Sequence, residues 1–235
     1  MSLFSVCQNI LYETKNSSIP ASIIGNSENS AVQILQAVSI AAVEISRSYS
    51  WQKLQKEYNF SSIAATEGYI LPSDFDRLID GTFWNSSSRL PLAGITTPQD
   101  WRILKNAISS GSGATEYFRV RNGQILIFPT PSSAKNYVFE YIGNCFVQDI
   151  SGTLKSSFTA DSDVFVIDEH ILRLDATWRF LNYQGRPYNE EQRIANLAIS
   201  DRAKIDGGRA TILPNNTRQI AGAKIALPYS ITPVA

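Results

Sequence analysis

The residue best suited to moving protons near neutral pH occurs once in this chain, as His170. Asp168 and Glu169 flank it, but His170 falls near the start of a helical pattern, and helix residues one or two apart do not face each other. No orienting carboxylate of the kind a serine–histidine–aspartate triad needs is therefore in place, and the pattern predicts a solvated or locally bonded surface histidine. Cys7 and Cys145 lie outside any C-x-x-C pair, so the usual zinc ligand sets cannot be assembled. Both cysteines read as small buried hydrophobes. The stretch "TADSDVFVIDEH" offers Asp161, Asp163, Asp168 and Glu169, and Glu140 lies upstream; paired carboxylates hydrolyse glycosides when they face each other across a cleft. Nothing in their spacing sets them across one, and loop and helix-cap aspartates are the expected outcome. "SSGSGAT", residues 109–115, is glycine-rich but lacks the lysine and hydroxyl of a phosphate loop, and reads as a flexible turn. Tyr137, Phe139 and Tyr141 share one strand face that stacks either bases and sugars or neighbouring strands; without basic neighbours the sheet role is expected. No catalytic, cofactor or metal site is predicted, and the chain is not expected to be an enzyme.

The totals narrow the partners. Lys plus Arg and Asp plus Glu both number 21, so the formal net charge is zero, without the basic excess that phosphate contacts demand. A hydrophobic share of 43% with 18% charged residues is a globular composition, and 235 residues are enough for a real core. Two cysteines are too few for a disulfide-stapled module. "MSLFSVCQNILYETK" lacks a basic leader before a long apolar stretch, which predicts no signal peptide. No window approaches the roughly 18 apolar residues of a membrane span.

The elements that must position any site fall into a clear order. Leu3, Cys7, Ile10 and Leu11 recur at helical spacing after Ser2, a candidate cap. The strongest period follows in "SAVQILQAVSIAAVEISRSYSWQKLQ", where Ile34, Leu35, Val38, Ala42, Ile45 and Tyr49 form a stripe, with Ser27 or Ser30 as cap and Trp51 and Leu54 closing the segment. From about Tyr58 to Val147 the pattern is strand. "YFRVRNGQILIFP" is a hairpin turning at Asn122-Gly123, "NYVFEYIGN" alternates, and "EGYILP" and "RLPLAGIT" are shorter strands. "TTPQDWRILKNA" starts a short helix, with Thr97 as cap and Pro98 first. Residues 151–163 are polar and read as a linker. Helices return with Ile167, Ile171, Leu174, Trp178 and Leu181, stopped by Gly185, and then with Ile194, Leu197, Ala198 and Ile205 as the apolar side of "NEEQRIANLAISDRAKIDGG". The last stretch, with Pro214, Pro228 and Pro233, shows no convincing period and is expected as an extended arm.

The expected fold class is therefore α+β. Residues 1–57 and 160–206 form a discontinuous antiparallel helix bundle of two N-terminal and two C-terminal helices, because each pair alone would leave an apolar stripe bare. Residues 58–150 form an inserted, mainly antiparallel β domain, and 207–235 the arm.

The succession "YSWQKLQKEYNF", "GYILPSDFDRLIDGTFWN", "PLAGITTPQDWRILKN", "YFRVRNGQILIFPTP", "YVFEYIGNCFV" and "LRLDATWRFLNYQGRPY" resembles the head-to-tail adaptor proteins of short-tailed bacteriophages, also called tail tubular protein A, tail accessory factor or head completion protein. The likeness covers roughly residues 28–205. It rests on Trp51 and Leu54, on Leu71, Pro72, Asp74, Phe75 and Arg77, on Trp101, on Ile125 to Pro129, on Tyr141, and on the pair Trp178-Arg179.

The resemblance implies a structural virion protein, assembled in the host cytoplasm, that forms a dodecameric ring at the neck. Portal protein would lie above it and the tail nozzle protein below. DNA would pass through the centre without specific binding, and no membrane would be involved. The arm is then the expected portal anchor, through Ile212, Leu213, Ile220, Ile225, Leu227, Tyr229 and Ile231. "LPSDFDRLIDGTFWN" fits an element at the subunit or nozzle interface, with Phe83 and Trp84 covered either by a neighbour or by this subunit's own core. Two other readings compete. A phage-particle cell-wall or polysaccharide hydrolase needs a working carboxylate such as Glu140 or Asp163. A carbohydrate-binding β module needs Tyr137, Phe139 and Tyr141 exposed.

Overall fold

The computed structural model describes residues 1–15, 20–95, 97–107 and 115–207. The expected arm residues Ile212, Leu213, Ile220, Ile225, Leu227, Tyr229 and Ile231, and all but the last residue of the glycine-rich stretch 109–115, lie outside them. The protein is α+β.

Helix α1, Leu3–Glu13, begins where Ser2 Oγ accepts the Ser5 amide at 3.3 Å, as expected, and buries Leu3, Val6, Cys7, Ile10 and Leu11. Helix α2, Asn29–Ser48, does not use either predicted cap. Glu28 holds the cap position without a side-chain bond, and Asn26 shapes the entry instead by accepting the Glu28 amide at 2.9 Å. Its buried face runs through Ile34, Val38, Ala42 and Ile45, and adds Ala31, Ala37 and Ala41. A 3-10 turn, Gln52–Leu54, buries Trp51 and Leu54 before the chain enters the strands.

These are β1 (Gln55–Ser61), β2 (Gly68–Ile70), β3 (Phe75–Leu78), β4 (Trp84–Asn85), β5 (Leu90–Pro91) and β6 (Ala93–Gly94). Helix α3, Pro98–Ala107, follows, and Thr97 Oγ1 accepts the Asp100 amide at 3.1 Å as its predicted cap. Then come β7 (Tyr117–Arg121), β8 (Gln124–Phe128), β9 (Asn136–Gly143), β10 (Val147–Gln148), β11 (Leu154–Lys155) and β12 (Val164–Phe165). The predicted hairpin joins β7 to β8. Asn122 at φ 52° and Gly123 at φ 69° give the left-handed pair that matches strand twist.

One sheet runs β1-β9-β4-β5, with β3 also on β9; a second runs β2-β8-β7-β6; a third runs β11-β10-β12. All pairings are antiparallel except β6 with β7. The third sheet corrects the expected linker. Residues 151–163 are folded, because polar side chains serve their backbone donors: Asp149 Oδ1, just before them, accepts the Ser151 and Thr153 amides, each at 2.9 Å, and Asp163 Oδ2 accepts the Thr159 and Ala160 amides at 2.7 and 2.9 Å.

Helix α4, Glu169–Tyr183, is capped by Asp168 and stops before Gly185, as predicted. It packs against α1, α2 and against α5, Asn189–Gly207. Because neighbours cover several sides, its buried set is Ile171, Leu172, Ala176, Phe180 and Leu181, wider than the predicted line, while Leu174 and Trp178 are half-buried. The apolar side predicted for α5 is largely outward. Ile194, Leu197 and Ile205 are exposed, and the helix approaches the core through Ala195, Ala198, Ile199 and Ala203.

Two apolar clusters result. The first joins α1, α2 and α4 with Trp51, Leu54, Ile142, Phe146, Val147 and Phe165; the second lies among the strands around Phe83, Tyr137, Phe139 and Ile127. No helix among the described residues is long and apolar enough to cross a membrane.

The end of α5 is fixed by close approach. A Cβ on Gly207 would overlap the Tyr49 hydroxyl, and Tyr49 cannot swing freely because its ring stands edge-on to buried Trp51 at 5.3 Å. Gly207→Ala should therefore destabilise by about 1–3 kcal/mol. In a thermal melt it should lower Tm by roughly 3–10 °C. An unchanged Tm would show that the contact is not tight.

Candidate interaction surface

The aspartates that the sequence singles out tie separate parts of the chain together. Asp161 accepts the Ile23 and Ile24 amides at 3.0 and 2.8 Å, tying the loop before α2 to the turn that precedes β12. Asp163 is fully buried. It takes the Lys155 ammonium at 2.7 Å and the Thr159 and Ala160 amides at 2.7 and 2.9 Å. Burial alone would raise its pKa; the lysine and the two amides outweigh burial and hold the carboxyl below its ordinary range. Asp168 caps α4 through the His170 amide at 2.8 Å and pairs with Arg202 at 3.2 Å. These are the loop and cap aspartates the sequence predicts. His170 is exposed, with Arg173 Nη2 3.4 Å from Nδ1.

Three polar clusters bridge separate elements. Lys56 of β1 meets Asp74 at 2.5 Å, and Tyr141 of β9 donates to the same carboxylate at 2.9 Å. Burial opposes the charge on Asp74, but these hydrogen bonds keep its pKa below the usual value, while burial and the nearby carboxylate push the Tyr141 phenol up. Glu116 accepts from Asn85 at 2.9 Å, Lys135 at 2.6 Å and Tyr137 at 3.1 Å. Arg179 joins Asp175 at 2.8 Å and Glu44 at 2.7 Å, with its guanidinium 4.3 Å from the Trp178 ring. Every carboxylate in these clusters is matched by a cation or phenol. Among the described residues, no three His, Cys, Asp or Glu side chains come together as a metal site.

The aromatic strand face points inward. Tyr137, Phe139 and Tyr141 are buried and stack with Phe60, Phe75 and Phe83, so they present no sugar-binding platform. Phe83 is 1% exposed and only 4.8 Å from Phe118, which places it in this chain's own core rather than at an interface. Of the predicted pair only Trp84, 36% exposed, offers surface, opposite Pro91 on the neighbouring strand. Cys7 is buried as expected, and burial pushes its thiol up to about 12. Cys145 is only half-buried, contrary to expectation, because it follows the exposed Asn144 in the turn between β9 and β10.

What remains uncommitted is apolar surface. The outer face of α5 carries Ile194, Leu197 and Ile205 at helical spacing, interleaved with the ion pairs Glu190–Arg193 and Asp201–Lys204. A second patch is a groove of about 610 Å³ between the sheets, lined by Phe75, Leu78, Leu92, Ile95, Phe118 and Val120. The sequence missed this groove because its walls come from three separate stretches, 75–78, 92–95 and 118–120.

Two outcomes check these assignments. Asp163→Asn should cost about 3–5 kcal/mol at neutral pH, because it leaves Lys155 facing a neutral, mismatched partner. The Asp163 carboxyl is held low in the folded chain, so its contribution is complete above the ordinary aspartate range and fades as pH falls through the lower folded value. Urea unfolding should thus show the gap between wild type and variant closing as pH falls below the ordinary aspartate range; a pH-independent gap would contradict the ion pair. Phe83→Ala should cost about 3–5 kcal/mol and Trp84→Ala less than about 1 kcal/mol in the isolated chain, and equal losses would contradict the inward–outward assignment. No known protein family model matches this chain, and no curated protein matches it.

Proposed function

We propose that this chain is a structural virion protein, a head-to-tail adaptor of the short-tailed bacteriophage type, forming a dodecameric ring between portal and tail nozzle around the DNA channel. The observation that carries the reading is the outward apolar stripe Ile194, Leu197 and Ile205 on α5. A helix that meets its own core through alanines and turns its large aliphatic side chains to solvent is built to be covered by something else. In a ring the cover is the neighbouring copy, contacting a different patch of its own, since head-to-tail contacts are heterologous.

The positions that carry the resemblance support the same reading. Trp51, Leu54, Leu71, Trp101 and Tyr141 are buried, Arg77 Nη2 donates to the Tyr49 carbonyl at 2.7 Å, and Asp74 links Lys56 to Tyr141. They are framework residues, as expected of a family defined by assembly rather than by turnover. The helices form a discontinuous antiparallel bundle carrying the β region as an insertion, and the arm 207–235 anchors on the portal. Zero formal charge suits a conduit, because strong phosphate contacts would slow the DNA. The site of action is the neck of the virion, after assembly in the host cytoplasm.

The test is stoichiometric capture. Purified chain mixed with portal rings of the same virus should give a complex whose mass corresponds to a full dodecamer. Ile194→Asp with Leu197→Asp should leave the melting curve of the free chain within a few degrees and reduce the bound copies to a scattered minority. Removing residues 208–235 should abolish binding while preserving the fold. Full-length chain that neither binds portal rings nor self-associates on them would overturn the proposal.

A further inference from the structure

Helix α5 is bound less firmly into the fold than its length suggests. The buried set of the larger apolar cluster draws on α1, α2 and α4 and on the strands beside them, and contains no residue of α5. Ala195 is the one fully buried residue of the helix, while Ala198, Ile199 and Ala203 touch the cluster as half-buried neighbours. Apolar burial stabilises in proportion to area, and alanines bring little area. The core closes beneath α5 rather than around it.

Its seat is also loosely filled. A cleft of about 430 Å³ runs between α5 and the α2–α4 surface, with polar walls at Glu44, Ser48, Asp175, Arg179, Gln192 and Asn196. A second, of about 540 Å³, opens where Arg202 of α5 faces Lys53, Asp168 and Glu169. A side chain beside a void loses the dispersion partners it would have on that side. Arg202 shows the same looseness in polar form. Its Nε is buried 3.2 Å from Asp168 Oδ2, yet out of line for a hydrogen bond.

What holds the helix well is placed at its two ends. Before its start, Arg186 Nη1 donates to the Thr14 carbonyl at 2.6 Å and pins the turn after α4 to the end of α1. Gly185 takes φ 68° in that turn, so α4 and α5 are separate rods joined at a fixed corner. At the far end Asp206 Oδ2 accepts the Gln52 amide at 2.8 Å, and Gly207 lies against the Tyr49 hydroxyl. Between the ends the helix supports itself through the ion pairs Glu190–Arg193 and Asp201–Lys204. A pinned corner, a self-supporting middle and a polar latch at the tip make a rod that releases in one step.

We propose that α5 swings away from the folded body as one unit, pivoting at the Arg186 corner, while the core of α1, α2 and α4 stays closed. The open form bares a second apolar line, Ala195, Ile199 and Ala203, beside the stripe Ile194, Leu197 and Ile205 that already faces solvent. The inference concerns the isolated chain and stands apart from the adaptor reading.

Hydrogen exchange on the full-length chain at low micromolar concentration tests it. Once detached, a helix of 19 residues is marginal in water, so each opening exposes its amides together. The amides of 193–206 should share one rate, at least about a hundredfold faster than that of the α4 amides of 172–180. In urea up to about 1 M the α5 rate should rise less steeply than the α4 rate, because this opening exposes less surface than global unfolding. Ile10→Val, a trimming of the core on α1, should speed α4 exchange about two- to tenfold and leave the α5 rate unchanged, since the body stays folded when α5 opens. Protection of α5 equal to that of α4 would overturn the proposal. So would rates that fall steadily inward from Gly207, which is fraying from the end, and so would an α5 rate that Ile10→Val raises in step with α4.

Discussion

Strand β9 is the constraint on which the rest of the structure depends. It pairs with β1 from Asn136 to Ile142 on one edge, and with β4 and then β3 on the other. Its side chains enter both apolar clusters: Tyr137, Phe139 and Tyr141 face the strand core, and Ile142 faces the helical one. A slip of one residue would exchange the aromatic face for Val138, Glu140 and Ile142 and bury a carboxylate without a partner, at several kcal/mol. The register is therefore fixed by chemistry as well as by hydrogen bonds. It also sets Lys56 opposite Tyr141, which lets Asp74, just before β3, close the bridge between β1 and β9.

A second set of polar links attaches the beginning of the chain to its later half. Asp161 holds the Ile23 and Ile24 amides, and the carbonyls of Asp161 and Asp163 accept the Phe4 and Leu3 amides at the start of α1. Arg179 on α4 reaches Glu44 on α2, and Asp206 at the end of α5 accepts the Gln52 amide at 2.8 Å. Each link joins elements far apart in sequence, so each removes conformational freedom that local helix formation leaves untouched. That use of the acids explains why a chain with 21 carboxylates offers no reactive pair among its buried ones.

What was legible in the sequence was what local physics dictates. Ser2 and Thr97 cap as their spacing says, Asn122-Gly123 turns a hairpin because few other pairs accept two positive φ angles, and the aromatic alternation of β9 names its buried face. The failures occur where tertiary context chooses between locally equal options. On α5 both Ile194, Leu197, Ile205 and Ala195, Ala198, Ile199, Ala203 keep helical spacing, and size favours the first set as core. Close approach to α4 selected the alanines instead. Phe83 and Trp84 are adjacent on a strand, so only one of them can face inward, and the sequence does not say which. Residues 151–163 read as a linker because turn-forming polar residues look alike whether their acceptors meet water or the chain's own amides.

The distribution of the uncovered apolar surface bears on how copies would meet. The α5 stripe belongs to the helical part, while the groove between β3 and β7 and the Trp84–Pro91 pair belong to the strands. Their shapes differ: a convex helix face rimmed by ion pairs, a concave slot with unpaired strand edges, and a flat strand pair. A two-fold contact needs one patch that complements itself, and a convex stripe of three isolated aliphatics against its own copy buries little. A rotational contact needs two dissimilar patches on each subunit, and a chain with a ridge on one part and unlike surfaces on the other meets that requirement.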